Sequence, residues 1–282
     1  MSNYSPIITV MTNAAIKAAR RMVRDFGEVE QLQVSQKGPA DFVSNADLKA
    51  EKTLIYELSN ARPAFGFLVE EQGIIEGSDK ANRWIVDPLD GTTNFLHGIP
   101  HFAISIAHQK EGSIVAAVIY DPVKDEMFWA ERNRGAWMNN RRLRVSSRGN
   151  LSHSVLATGI PHFGRGKPAE FLDIAETLMP QVAGIRRMGA ASLDLAYVAA
   201  GRYEAYWETG LKAWDIAAGL LMVSEAGGFV TDYAGRDKVL NSGEVLATND
   251  KLQLTMQKLI MKSRHAVAEK AAEQAAEKNK SV

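Results

Sequence analysis

The chain has 282 residues, with 33 basic and 33 acidic side chains and a formal net charge of zero. Its hydrophobic content of 46% and charged content of 23% are those of a globular protein with an ample core, one large α/β domain or two small ones. The balanced charge offers no broad field to recruit DNA or a membrane, and the absence of Cys excludes disulfides, thiolate metal sites and Cys nucleophiles.

Ser5-Pro6 is a helix start, with Pro at the first helical position. Apolar residues at Ile7, Ile8, Met11, Ala14, Ala15, Ala18, Met22 and Phe26 keep helical spacing up to Gly27. Val29 to Val34 alternates like a strand, Gln36-Lys37-Gly38-Pro39 reads as a loop, and a second helix is expected from about Ser44 to Leu58. Phe65 to Val69 is a buried strand ending at Glu70-Glu71. Trp84 to Val86 is another, and Asp87-Pro88 should end it, because Pro cannot donate to a ladder. Ile104 to Ile106, Ile114 to Tyr120, Glu126 to Ala130 and Ala136 to Asn139 form an antiparallel meander joined by Gly, Asp-Pro and Asn-Asn turns.

Strands and helices then alternate. Strands are expected at Val155 to Thr158, Gly184 to Met188, Tyr203 to Trp207 and Val245 to Ala247. Helices are expected around Pro168 to Met179, Ser192 to Ala200 and Asp215 to Ala226, and from about Asp250 onward. The tail from about 266 is Ala-, Glu- and Lys-rich, a frayed helix or disordered segment. The change near residue 147 divides the chain into 1–147 and 148–282, two subregions of one functional unit. No apolar run approaches the roughly 18 residues of a membrane span, and no signal peptide is evident. A cytoplasmic location is expected.

The chemistry concentrates after the Trp84 strand. Asp87 and Asp90 lie three residues apart on the turn, Gly91 permits a tight backbone, and Thr92 and Thr93 follow as N-cap hydroxyls of a short helix. Free amides at a helix start attract an oxyanion, whereas carboxylates repel one. The two share a few ångströms only with hard cations between them. An ordinary acidic turn remains the bland reading of Asp-x-x-Asp-Gly alone. Likewise Asp215 could be a plain N-cap, Asp47 a first-turn carboxylate serving a helix dipole, and Lys37 a solvated loop lysine. The histidines, among them His97, His101, His108, His153 and His162, show no zinc spacing and read as surface or core residues.

The whole string Trp84-Ile85-Val86-Asp87-Pro88-Leu89-Asp90-Gly91-Thr92-Thr93-Asn94-Phe95 resembles the signature of the inositol monophosphatase family. Three further fragments fit: Phe67 to Glu71, Arg186 to Ala196 with Glu208, and Trp214 to Gly219 with Glu225 to Gly228. The resemblance spans about residues 30 to 250. It implies the layered αβαβα sandwich shared with fructose-1,6-bisphosphatase, and hydrolysis of a phosphate monoester, inositol-1-phosphate foremost, by a metal-activated water. By matching position it implies two or three Mg²⁺ ions. Glu70, Asp87 and the Leu89 carbonyl would hold the first, and Asp87, Asp90 and Asp215 the second, with Glu70 also serving a third. Asp47 and Thr92 would orient the water, with Glu70 also at the reaction. The Gly91 to Thr93 amides would hold phosphate, and Lys37 would assist. Gly189, Ala190, Ala191, Glu208 and Asp215 would line the polyol pocket.

Many animal members carry Gly-Thr-Ala where this chain has Gly189-Ala190-Ala191, and the Arg186-Arg187 and Leu193 to Arg202 run is similar to bacterial SuhB-type members. The resemblance therefore also implies a homodimer and, as alternatives, a bisphosphate phosphatase (fructose-1,6-bisphosphate or 3′-phosphoadenosine 5′-phosphate) or a regulatory protein contacting RNA polymerase or transcription factors. Arg186-Arg187 is the candidate local patch for such a partner, or else part of a subunit interface or an ion pair.

Overall fold

The computed structural model describes residues 4–27, 34–38, 41–161 and 166–264, with 34–38 and 41–44 described by their backbone. In chain order its elements are α1 (Pro6–Phe26), β1 (Val34–Gly38), β2 (Asp41–Ser44), α2 (Asn45–Ala61), β3 (Phe65–Val69), β4 (Gly73–Ile75), β5 (Asp79–Asp90) and α3 (Thr92–Leu96). The meander follows as β6 (Ala103–Lys110), β7 (Ser113–Asp121), β8 (Glu126–Glu131), β9 (Gly135–Met138) and β10 (Arg141–Arg142). The remainder is β11 (Val155–Thr158), α4 (Pro168–Leu178), β12 (Gly184–Arg186), α5 (Ala191–Ala199), β13 (Ala205–Thr209), α6 (Ala213–Glu225), β14 (Phe229–Thr231), α7 (Val239–Ser242), β15 (Glu244–Thr248) and a helix over 253–264.

Among the described residues the strands form a large sheet of order β10-β9-β8-β7-β6-β5-β3-β4, a smaller one of order β12-β11-β13-β15-β14, and the hairpin β1-β2. β3 and β5 are parallel neighbours, and β5 to β9 pair antiparallel in succession. Successive strand residues face opposite sides. Trp84 and Val86 of β5 therefore pack under α1 and α2, against Ile8, Met11, Leu54 and Leu58. Ile85 faces the other way, into a core with Leu193 and Leu195 of α5 and Ile216 and Met222 of α6. The inner face of the smaller sheet, with Tyr206 and Val245, closes that core. Its outer face, with Leu156 and Trp207, is covered by Ile174 and Leu178 of α4 and by Met256 and Ile260. The result is five layers, αβαβα. α5 and α6 lie between two sheets, which is why they are apolar nearly all round. No helix among the described residues is long and apolar enough to cross a membrane.

Two local readings of the sequence need correction, and others fall outside the described residues. Gln36 to Gly38 is strand, not loop, paired with β2 through Gln36↔Phe42 and Gly38↔Asp41; Pro39, the last residue of the expected loop, lies outside the described residues. Residues 28–33 and 265–282, where part of a strand and the tail were expected, lie outside the described residues, as does His162. β5 does not stop at Asp87-Pro88 but continues to Asp90. Its pairing passes from Asp87↔Ser105 to Asp90↔Ala103, three steps on β5 against two on β6. That is a bulge, and the missing N–H of Pro88 falls where the ladder is already interrupted.

Candidate active site

Because β3 and β5 are parallel, their C-terminal ends open at one edge of the large sheet. Glu70 follows β3 directly. The loop there is held by Glu51 of α2, whose buried carboxylate accepts the Glu71 N–H at 2.9 Å and the Gln72 side-chain amide at 2.8 Å. In the β5 bulge, Asp87 Oδ1 accepts the Leu89 N–H at 2.9 Å. Gly91 then turns the chain with φ +95°, and a Cβ there would lie 3.0 Å from the His101 carbonyl. Gly91 is itself the N-cap of α3, with no side chain capping the helix. The expected capping role of Thr92 is not what its hydroxyl does. Thr92 Oγ1 lies 3.1 Å from both Asp47 Oδ1 and the Leu89 carbonyl, and its single proton serves one of these acceptors at a time.

The far wall comes from the central helices. Ser192, at the start of α5, donates its N–H (2.7 Å) and its hydroxyl (2.5 Å) to Asp90 Oδ2, tying β5 to α5. Asp215 is the third residue of α6, not its N-cap. Its Oδ2 accepts the Lys212 N–H at 2.7 Å and reaches back over the helix start. Tyr206 Oη donates to Glu208 Oε2 at 2.5 Å on β13.

These groups meet in a cavity of about 160 Å³. Glu70, Asp87, Leu89, Asp90, Thr92, Glu208 and Asp215 line it, with Gly91, Thr93, Gly189, Ala190 and Ala191. Asp47 lies behind the wall, fully buried, beside Thr92, which borders the cavity. The side chain of Lys37 lies outside the described residues. A compartment of about 550 Å³ shares Glu70, Glu208 and Asp215 and continues toward Lys167, Phe171 and Tyr233.

The electrostatics follow from crowding. Burial, then Glu70, Asp90 and Asp215, push the Asp87 carboxyl well above the usual carboxylate range. Burial does the same for Asp215, with Asp90, Glu70 and Glu208 adding to it. Asp90 is raised to about 6 by burial, against the Ser192 hydrogen bonds that lower it, and Glu208 to about 7 by burial, against Tyr206. Thr92 and Thr93 of α3, Ala191 of α5 and Asp215 in the first turn of α6 border the same cavity, so carboxylates and the positive ends of helices face one space.

Among the described residues, no three carboxylate or imidazole groups are already closed round one ion position. The donor chemistry nevertheless fits a hard cation: every side chain that could ligate is an oxygen donor, the Leu89 carbonyl stands beside them, and neither His nor Cys lines the cavity. His101 and His108 are buried and His97 and His153 exposed, as core and surface histidines would be.

Gly159, Ile160, Leu211 and two charged lining residues were not read as site residues in the sequence. Arg187, read there as a candidate interface residue, borders this cavity, and so does Asp194 on α5. The available signal for Asp194 was a single carboxylate inside the otherwise apolar run Leu193 to Ala200.

Comparison with known proteins accords with this arrangement. A model of the inositol monophosphatase family matches residues 3–269. The chain is 57% identical over 258 residues to the inositol-1-monophosphatase of Mesorhizobium japonicum, covering 92% of this chain and 97% of that protein. It is 46% identical over 250 residues to the Nus factor SuhB of Pseudomonas aeruginosa, covering 87% and 92%. The crystal structure of the extragenic suppressor protein SuhB from Bartonella henselae superposes with a TM-score of 0.89 at 54% identity, covering 91% of this chain and 98% of that one. With the string from Trp84 to Phe95, the five-layer fold and a match over nearly its whole length, the chain belongs to the inositol monophosphatase family.

Proposed function

We propose that the protein is a Mg²⁺-dependent phosphatase that hydrolyses inositol-1-phosphate to inositol and phosphate. One observation carries this reading: buried carboxylates share a cavity with helix N-termini. The carboxylates repel a phosphate that the helix ends attract, and cations between them resolve the conflict.

Glu70, Asp87, Asp90, Asp215 and the Leu89 carbonyl would hold two or three Mg²⁺ ions. Bound there, Mg²⁺ supplies Lewis acidity toward water and the phosphate oxygens. The chain's own groups do the rest. Asp47 accepts the Thr92 hydroxyl proton and so turns the oxygen lone pairs of Thr92 toward the cavity, where they accept a hydrogen from the attacking water. The amides from Gly91 to Thr93 bind phosphate oxygens, and Glu208 accepts a hydroxyl of the leaving alcohol.

The test is kcat/KM for inositol-1-phosphate, fructose-1,6-bisphosphate and 3′-phosphoadenosine 5′-phosphate side by side, with Mg²⁺ titrated. A preference above about tenfold, or roughly 1.4 kcal/mol, for either bisphosphate would displace the reading. So would full activity after chelation.

A second reading rests on the relatives named Nus factor SuhB. In it the chain, as a homodimer, contacts RNA polymerase or its elongation factors through an exposed surface that includes Arg186. Pull-down with wild type and with Asp87→Asn separates this from catalysis. Capture by the inactive variant supports it, and capture by neither protein at physiological salt removes it.

A further inference from the structure

The four carboxylates at the proposed ion positions are not held alike. Asp87 and Asp90 belong to β5, which has a strand on either side, and Asp215 belongs to α6, which lies between the two sheets. Glu70 sits instead in the turn 70–72 that joins β3 to β4 through the pair Val69↔Gly73. β4 spans only Gly73–Ile75, lies at the edge of the large sheet and shows Ile74 to solvent. A turn beside a short edge strand is a weak anchor by itself. Yet from this turn the Glu70 carboxyl must meet that of Asp87.

Glu51 supplies a restraint from outside the sheet. It is 1% exposed on α2 and grips the turn with both carboxylate oxygens. Oε2 accepts the Glu71 N–H at 2.9 Å, and Oε1 accepts the Gln72 side-chain amide at 2.8 Å. Backbone and side chain are thus held on the two residues that follow Glu70, which resists both swing and slide of the turn. A charged acceptor makes each bond stronger than a neutral one would. Asp47, 3.1 Å from Thr92 Oγ1, stands four residues earlier on the same helix, about one turn away. One helix therefore supports both Glu70 and Thr92.

We propose that Glu51 is a positioning residue: it borders neither compartment of the site, and by clamping the Glu71-Gln72 turn it holds Glu70 in place and so sets the affinity for Mg²⁺. This rests on the cation reading of the cavity given above and deepens it.

The experiment measures Mg²⁺ binding to wild type, Glu51→Ala and Glu51→Gln by calorimetry, with melting curves and with activity titrated against Mg²⁺. Glu51→Ala should weaken Mg²⁺ binding about tenfold or more, the scale for removing a group that orients a metal ligand, and excess Mg²⁺ should restore most of kcat. Glu51→Gln should stay within about threefold of wild type, because its oxygen keeps the Glu71 N–H while the Gln72 amide turns over to accept from the new amide. A merely structural Glu51 would lower the melting temperature and leave the Mg²⁺ affinity alone. Affinity in Glu51→Ala within about twofold of wild type, less than one hydrogen bond is worth, therefore overturns the inference. So does an equal loss in both variants, which would make the charge and not the clamp the cause. Should Glu51→Ala fail to fold, Gln72→Ala decides, since Gln72 is exposed and its loss removes one of the two bonds. About threefold weaker binding is then expected, and unchanged binding overturns the inference. A wild type that binds no Mg²⁺ removes the cation reading and this inference together; a wild type that binds it no more tightly than Glu51→Ala removes this inference alone.

Discussion

Gly159 and Glu208 occupy one corner of the site so closely that a Cβ on Gly159 would lie 2.0 Å from the Glu208 carboxyl carbon. Glu208 is held in that corner by Tyr206, so it cannot withdraw without losing its donor. Gly159→Ala should therefore displace the carboxylate and lower kcat/KM for inositol-1-phosphate by about tenfold or more, the scale of a lost charged hydrogen bond. In a double-mutant cycle the Ala substitution should cost little once Glu208 is already Ala, because the two changes remove one contact. Additive losses would show that Gly159 acts elsewhere.

Asp87→Asn should abolish phosphatase activity, to below about one per cent by the scale of residues that act as a unit, while the fold survives. Asp87 is buried among carboxylates and repelled by Glu70, Asp90 and Asp215. Neutralising it should raise the melting temperature of the cation-free protein, by roughly 2 °C for each kcal/mol of repulsion relieved. It should also shrink the further rise that Mg²⁺ gives the wild type. Thermal melts with and without Mg²⁺ test both halves; an Mg²⁺ effect of undiminished size would remove Asp87 from the ion site.

The Thr92–Asp47 pair should act on turnover more than on binding. Thr92→Val keeps the shape but removes the hydroxyl that lies 3.1 Å from Asp47. kcat is expected to fall about 100-fold or more, the low end for a proton-handling group, with KM little changed. A rise in KM at constant kcat would make Thr92 a binding residue instead.

His101 and His108 make the protein sensitive to mild acid. His108 Nε2 must carry the proton it donates to Asn82 Oδ1 at 2.8 Å, and its Nδ1, against Phe65 and Trp84, has no partner. His101 Nε2 has none either. Burial lowers both to about 4, with neighbouring lysines adding to it, whereas in the unfolded chain each titrates near 6.5. Between these values the unfolded state binds more protons. Stability is therefore full above about pH 6.5, falls as pH drops, and the loss is complete near pH 4, at up to about 3 kcal/mol for each histidine. The crowded carboxylates pull the opposite way. Urea melts of wild type and His108→Phe from pH 7 to 4 isolate the histidine, since the variant's curve should fall less steeply. Parallel curves would show that His108 takes its proton without penalty.

The sequence made some elements legible and hid others for physical reasons. β3 and β11 match their expected bounds because each is a short apolar run closed by polar or Gly residues. α1 begins and ends where Ser5, Pro6 and Gly27 place its caps, Ser5 Oγ accepting from Ile8 N at 3.4 Å. The carboxylates of the cavity were visible because one contiguous string carries Asp87 and Asp90. The continuation of β5 past Pro88 was not, since a bulge depends on what the partner strand supplies. The position of Asp215 in the third place of α6 depends on Lys212 starting the turn. Arg187 read as an interface residue because an exposed Arg pair carries no sign of the cavity beside it, and Asp194 escaped notice because nothing local shows which way a side chain of a helix between two sheets will face.

Asp90 accepts two hydrogen bonds from Ser192 across the boundary between the large sheet and the central helices. Glu70 and Asp87 belong to one side of that boundary, Asp215 to the other. Ions and phosphate bound between them would rivet two layers that otherwise meet through an apolar core and a few hydrogen bonds, such as those of Glu225 to the Asn133 and Gly135 amides. The catalytic assembly should then be the first thing lost when the layers loosen: in rising urea, activity should decline before far-ultraviolet ellipticity does, and Mg²⁺ with phosphate should bring the two transitions together.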